Sequence, residues 1–169
     1  MYRSEYPRPS LVRAHWQNLN GLWDFAFDDK NVGLTEKWLE KGKFPLKINV
    51  PFAFQTPLSG INDQSFHDYV WYRRTFKVEK QKGKRYLLHF GAVDYECKVY
   101  LNKKLIGEHI GGQAPFSFDV TAFLNFVEEE LVVWVSDLST DEHMPRGKQY
   151  WKEKPEGIWY NRTTGIWQT

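Results

Sequence analysis

The chain is poor in the features that most often announce a function. Cys97 is the only cysteine in 169 residues, so no disulfide can staple the fold. Its place after Glu96 in a strand-like run reads as a small buried hydrophobe. No apolar run approaches the roughly 18 residues of a membrane span, and membrane partners are not expected. The opening MYRSEYPRPS lacks the apolar stretch of a signal peptide, which makes the cytoplasm the expected location. Charge of one sign is scarce as well. The 23 Lys and Arg face 21 Asp and Glu, a net charge of +2, with both signs interleaved along the chain. A nucleic-acid binder would gather its cations on one face. The densest basic stretch, KQKGKR at Lys80–Arg85, reads instead as a solvated hairpin connection.

Motifs for chemistry are missing too. The five histidines, at 15, 67, 89, 109 and 143, have no ligand spacing and no cysteine pair to join them, so neither a metal nor another cofactor is expected. There is no G-x-S-x-G elbow and no glycine loop opening a helix to cradle phosphate. SFHD at Ser65–Asp68 holds the three residue types of a hydrolytic triad, but triads assemble from separate segments. Its contiguity reads as coincidence. Glycoside hydrolysis needs two facing carboxyl groups, one of raised pKa. Asp94 and Glu96, two apart in a strand-like run, would share a face, and the simpler reading is a polar strand face. Glu128–Glu130 reads as a turn before Leu131. No catalytic residue is assigned.

Helical periodicity is also rare. It is confined to TEKWLE (Thr35–Glu40) and DVTAFLN (Asp119–Asn125), each expected to form one short capped turn or two. What the chain has in quantity is strand pattern and aromatic rings. Period-two or short apolar runs cover Leu22–Phe27, Lys47–Val50, Val70–Val78, Arg85–Phe90, Lys98–Leu101, Leu105–Ile110, Ser117–Val120 and Leu131–Asp137. A last run extends from Ile158 to the end, interrupted by NRTT. LVVWVSD is continuously apolar, as a strand covered on both faces requires. VYLNKKLIGEHI is a hairpin turning at Asn102-Lys103-Lys104. Long connections at 33–45 and 51–68 suit jelly-roll crossovers, so the predicted class is all-β, a jelly-roll β-sandwich, with a closed barrel as the alternative. Aromatics make up 17% of the residues, eight of them Trp. They serve equally as sandwich core or as platforms for sugar rings. Trp23, Phe25 and Phe27 share one face and are assigned to the core, as are Phe116 and Phe118.

Six motifs in order carry a resemblance: LNGLWDFAFDD (Leu19–Asp29), INVPFAFQT (Ile48–Thr56), WYRRTFKV (Trp71–Val78), LLHFGAVDYECKVYLNKKLIGEHIGGQAPFSFDVT (Leu87–Thr121), LVVWVSD (Leu131–Asp137) and GIWYNRTTGIWQT (Gly157–Thr169). From about Trp16 to Thr169 the chain resembles the amino-terminal sugar-binding domain of glycoside hydrolase family 2, the β-galactosidase, β-glucuronidase and β-mannosidase group. The resemblance implies a galactose-binding-domain-like jelly roll over 16–169 behind an N-terminal extension, 1–15. It also implies an immunoglobulin-like domain and a TIM barrel downstream, the barrel holding both catalytic glutamates. A barrel needs about 250 residues, so this chain would be an excised, non-catalytic domain cut near its final strand. The implied partners are a β-glycoside in the context of the parent enzyme, the downstream domains and a second copy in a homo-oligomer. An autonomous carbohydrate-binding module is the alternative.

The family also places two polar sugar contacts in this domain, and at both positions this sequence differs. Tyr69 stands where an Asn is usual, and Trp159 where an acid is usual. A shift of one residue would bring Asp68 into play instead. The candidate substrate-rim residues are therefore Asp68, Tyr69, Trp159, Tyr160, Asn161 and Arg162. Trp159 would stack on a sugar and Arg162 would hydrogen-bond to it.

Overall fold

The computed structural model describes residues 5–6, 9–150, 152 and 160–168. Among the described residues ten strands carry the fold: β1 (Gly21–Phe27), β2 (Leu46–Val50), β3 (Tyr69–Phe76), β4 (Leu87–Phe90), β5 (Ala92–Asp94), β6 (Glu96–Leu101), β7 (Lys104–Ile110), β8 (Phe116–Asp119), β9 (Glu129–Ser136) and β10 (Gly165–Gln168). Six form one antiparallel sheet in the order β2-β1-β3-β9-β6-β7. The other layer consists of two short pairs, β10 with β5 and β4 with β8. Because β2 and β7 leave the large sheet with two edges, a closed barrel is ruled out and the sandwich stands.

The apolar run of β9 explains the sheet's centre. Flanked by β3 and β6, it sends Leu131, Val133 and Val135 into the main core and Val132 and Trp134 to the outer face. The main core also takes Trp23 and Phe25 from β1, with Phe27, Phe116 and Phe118 packed against it. Trp71 and Tyr100 join Val132 and Trp134 outside, under the long 33–45 connection and Trp38. The sheet is thus covered on both faces, and β9 reads as a buried strand for that reason.

Local chemistry accounts for several details. The helix predicted at Thr35–Glu40 is one turn, α1 (Trp38–Lys41). Its N-cap position is Lys37, while the Thr35 hydroxyl donates to the Val32 carbonyl. No helix forms over Asp119–Asn125: Asp119 ends β8 and a turn follows at Thr121–Phe123, with the Asp119 carboxylate accepting from both the backbone and the hydroxyl of Thr121. The β6–β7 hairpin turns on two residues, Asn102 and Lys103, both at positive φ, and Lys104 is already paired. Glu129 is not a turn residue. It lies fully buried at the head of β9, its carboxylate accepting from the Asn125 and Phe126 amides and from Asn102. Asp94 and Glu96 do not share a face, because β5 and β6 belong to different sheets.

Candidate functional site

Antiparallel pairing of β3 with β9 brings two aspartates together at one end of the sandwich. Tyr69 pairs with Ser136, so Asp68 and Asp137 follow on outside the ladder, and the Asp137 amide donates to the Asp68 carbonyl at 2.8 Å. The segment leading into β10 adds Arg162 and Thr164. Arg162 Nη2 lies 2.7 Å from Asp137 Oδ2 and also donates to the Asp137 carbonyl, while Nη1 reaches Asp68 Oδ1 at 3.4 Å. The Thr164 hydroxyl donates to Asp137 Oδ2 at 2.6 Å. Asp68 also accepts from the Ser139 amide at Oδ1 and from the Ser139 hydroxyl at Oδ2. The Arg162 guanidinium stands over the Phe66 ring, 5.1 Å from its centroid.

A third carboxyl group adjoins this network. Asp94, 7% exposed at the end of β5, is closed over by Gly112, where a Cβ would overlap its carboxyl oxygens. Burial and then the nearby Asp137 charge push its pKa up to about 7, against the pull of the Gln149 amide and Arg162. A carboxyl group of raised pKa beside a second carboxyl group is the electrostatic pattern of a hydrolytic pair. Here, however, both are buried, and Asp137 is engaged by Arg162 and Thr164. The arrangement fastens β10 and its leading segment to the β3–β9 ladder.

Beside the cluster lies a cleft lined by Gln55, Gln64, Ser65, Phe66, Asn161 and Arg162, together with Lys152. Its volume, about 10 Å³, is at the lower limit for one water. SFHD forms part of this wall. Ser65 Oγ donates to Asp63 Oδ1 and lies 3.0 Å from His67 Nε2, and His67 Nδ1 lies 2.7 Å from Asp29 Oδ1. The serine proton is directed at Asp63, and the Ser65 amide points to the same carboxylate. That leaves no activated nucleophile, and the unit braces the loop, with His67 stacked on Phe27 at 3.7 Å.

The six candidate rim residues separate. Asp68 and Arg162 meet in the buried network, and Asn161 enters the cleft. Tyr160, 65% exposed, is joined by backbone hydrogen bonds to Lys148 and Tyr150. Tyr69 is on the outer face of the large sheet, stacked on Trp134 at 6.0 Å, and is not brought to the cluster. Trp159 lies outside the described residues. Sequence reasoning missed Gln55, Asp137, Ser139 and Thr164, and it read Asp94 as part of a polar strand face. For Asp137 a signal was available: an Asp at the end of one strand and an Asp before another meet when those strands pair antiparallel. No group of three or more potential metal ligands occurs among the described residues.

Comparison with known proteins gives this geometry a family. The family model for glycosyl hydrolases family 2, sugar binding domain, matches residues 16–161. A β-galactosidase of Thermoanaerobacter pseudethanolicus is 32% identical over 129 residues, covering 75% of this chain and 16% of that protein. A β-glucuronidase of Paenibacillus borealis is 30% identical over 161 residues, covering 90% and 26%. Among solved structures, a β-glucuronidase of an uncultured Clostridium sp. matches with a TM-score of 0.62 and 37% identity, over 71% of this chain and 22% of that one. The chain therefore spans about a quarter or less of the length of these relatives. An all-β sandwich with these motifs in this order, matched over nearly its whole length, belongs to the sugar-binding domain family of the family 2 glycosyl hydrolases.

Proposed function

We propose that this chain is the non-catalytic amino-terminal domain of a retaining exo-β-glycosidase, where it braces a catalytic barrel and supplies part of the substrate-pocket rim. One observation carries the reading. The carboxyl groups of Asp94 and Asp137 at the sandwich end are buried, and Asp137 shares Arg162 with the partly exposed Asp68, so the cluster holds a loop in place and has no pair open to a glycosidic bond. The matched relatives, named as glycosidases, are several times longer, which leaves room for catalytic residues elsewhere in such proteins.

In this reading Arg162 is a positioning residue. Its ties to Asp68 and Asp137 fix the loop from which Tyr160 and Asn161 reach the rim. The downstream domains and a β-glycoside are the partners. Incubation of the chain alone with p-nitrophenyl β-D-glucuronide and β-D-galactoside tests the non-catalytic part: no nitrophenol should appear above the buffer rate. Release proportional to the chain's concentration would overturn it.

A further inference from the structure

Gln55 is 6% exposed, and its Oε1 has no hydrogen-bond partner among the described residues. Asn161 lines the same cleft, and its Oδ1 is also buried and without a partner among the described residues. A buried acceptor left unpaired is costly and needs an explanation. The walls around these two amides are not loose. Ser65 is fixed by Asp63 and His67, His67 by Asp29 and Phe27, and Phe66 lies beneath the Arg162 guanidinium. A cleft with braced walls and two unmet acceptors has the form of a site whose ligand supplies the donors.

We propose that this cleft is a subsite for the hydroxyl edge of a pyranose, with the amides of Gln55 and Asn161 as its recognition groups. The proposal rests on the reading of the chain as a sugar-binding rim domain and adds residues to it. The chemistry selects hydroxyls over the other common donors. No carboxylate is among the described residues that line the cleft, so an ammonium group would find no anion there. A hydroxyl both donates and accepts, and therefore suits an amide head in either orientation. The cleft, at about 10 Å³, admits a hydroxyl-sized group but not a ring, so the ring lies outside it. Both amide oxygens are withdrawn from solvent, and they meet the ligand by rotation about their terminal torsions, which are soft.

The test is an NMR titration of the 169-residue chain with D-galactose and, separately, D-glucuronic acid, following the side-chain amide signals of Gln55 and Asn161. Both sugars should shift both signals saturably. Gln55→Met, which keeps the shape and removes the acceptor, should weaken both bindings at least tenfold while leaving the thermal midpoint unchanged or higher. No saturable shift with either sugar would overturn the proposal and assign the two amides to a bound water. A response to glucuronic acid alone would also overturn it, because recognition would then lie with the carboxylate. So would wild-type affinity in Gln55→Met. None of these results depends on catalysis. Failure of the domain reading is seen separately, as hydrolysis by the chain alone.

Discussion

Arg162 and Asp137 form a buried ion pair that joins the segment before β10 to the end of β9, with Nη2 2.7 Å from Oδ2 and the side chains 3% and 8% exposed. A pair this deep is weak evidence of net stabilisation against an apolar alternative, but removing one partner leaves the other charge buried alone. Arg162→Met should therefore cost about 3–5 kcal/mol in urea unfolding. Arg162→Lys should recover only part of that, because one ammonium cannot span Asp137 and Asp68 as the guanidinium fork does. A loss below about 1 kcal/mol, the range of a surface pair, would contradict the burial.

Asp94 gives the fold a pH dependence of definite sign. Its pKa is raised from an ordinary 3.8 to about 7, by burial first and the Asp137 charge second. Between those values the folded chain holds a proton that the unfolded chain has released. The contribution is fully present below about pH 4 and is lost as pH rises to 7. Asp63, held below its ordinary value mainly by its Ser65 hydrogen bonds, acts in the opposite sense, and only as pH falls beneath about 4. Asp94→Asn should flatten the decline between pH 4 and 7 and leave the variant more stable than wild type at pH 8. Parallel pH profiles for the two proteins would remove Asp94 from the account.

Gly165 opens β10 at φ 96°, where a Cβ would overlap the Tyr72 hydroxyl. Only glycine meets both conditions without strain. Gly165→Ala should cost about 1–3 kcal/mol through overpacking and backbone strain. Adding Tyr72→Phe should return part of it by removing the overlapping oxygen. Strict additivity of the two changes in a double-mutant cycle would show that they do not touch.

Tyr69 and Trp134 stack on the outer sheet face. Tyr69→Asn, the residue type usual at this place in the family the chain resembles, should lower stability by about 0.5–1.5 kcal/mol for the lost ring pair, plus the lost burial. An unchanged midpoint in thermal unfolding would argue against a packing role for Tyr69.

Nearly every strand was legible in the sequence because each alternates or runs apolar for a physical reason. Leu131–Asp137 is continuous since β9 faces a core on both sides, and Trp23, Phe25 and Phe27 repeat at two since only one side of β1 meets the main core. β5 was missed because three residues are too few to show a period. Glu129 was read as a turn residue since nothing local reveals that two backbone amides and Asn102 will satisfy it. The site was less legible. Arg162 and Asp68 were named, but their partner Asp137 depends on the β3–β9 pairing, and Gln55 becomes noteworthy only once its amide oxygen is seen buried without a donor. Pairing and satisfaction are properties of the fold, not of a window of sequence.

The most direct test of the domain reading is a chimera in which this chain replaces the matching segment of the Paenibacillus borealis β-glucuronidase, assayed for kcat/KM on p-nitrophenyl β-D-glucuronide beside a version with that segment deleted. If the chain is a bracing and rim-forming domain, the chimera should hydrolyse the substrate well above the deletion. A soluble, folded chimera no more active than the deletion would contradict it.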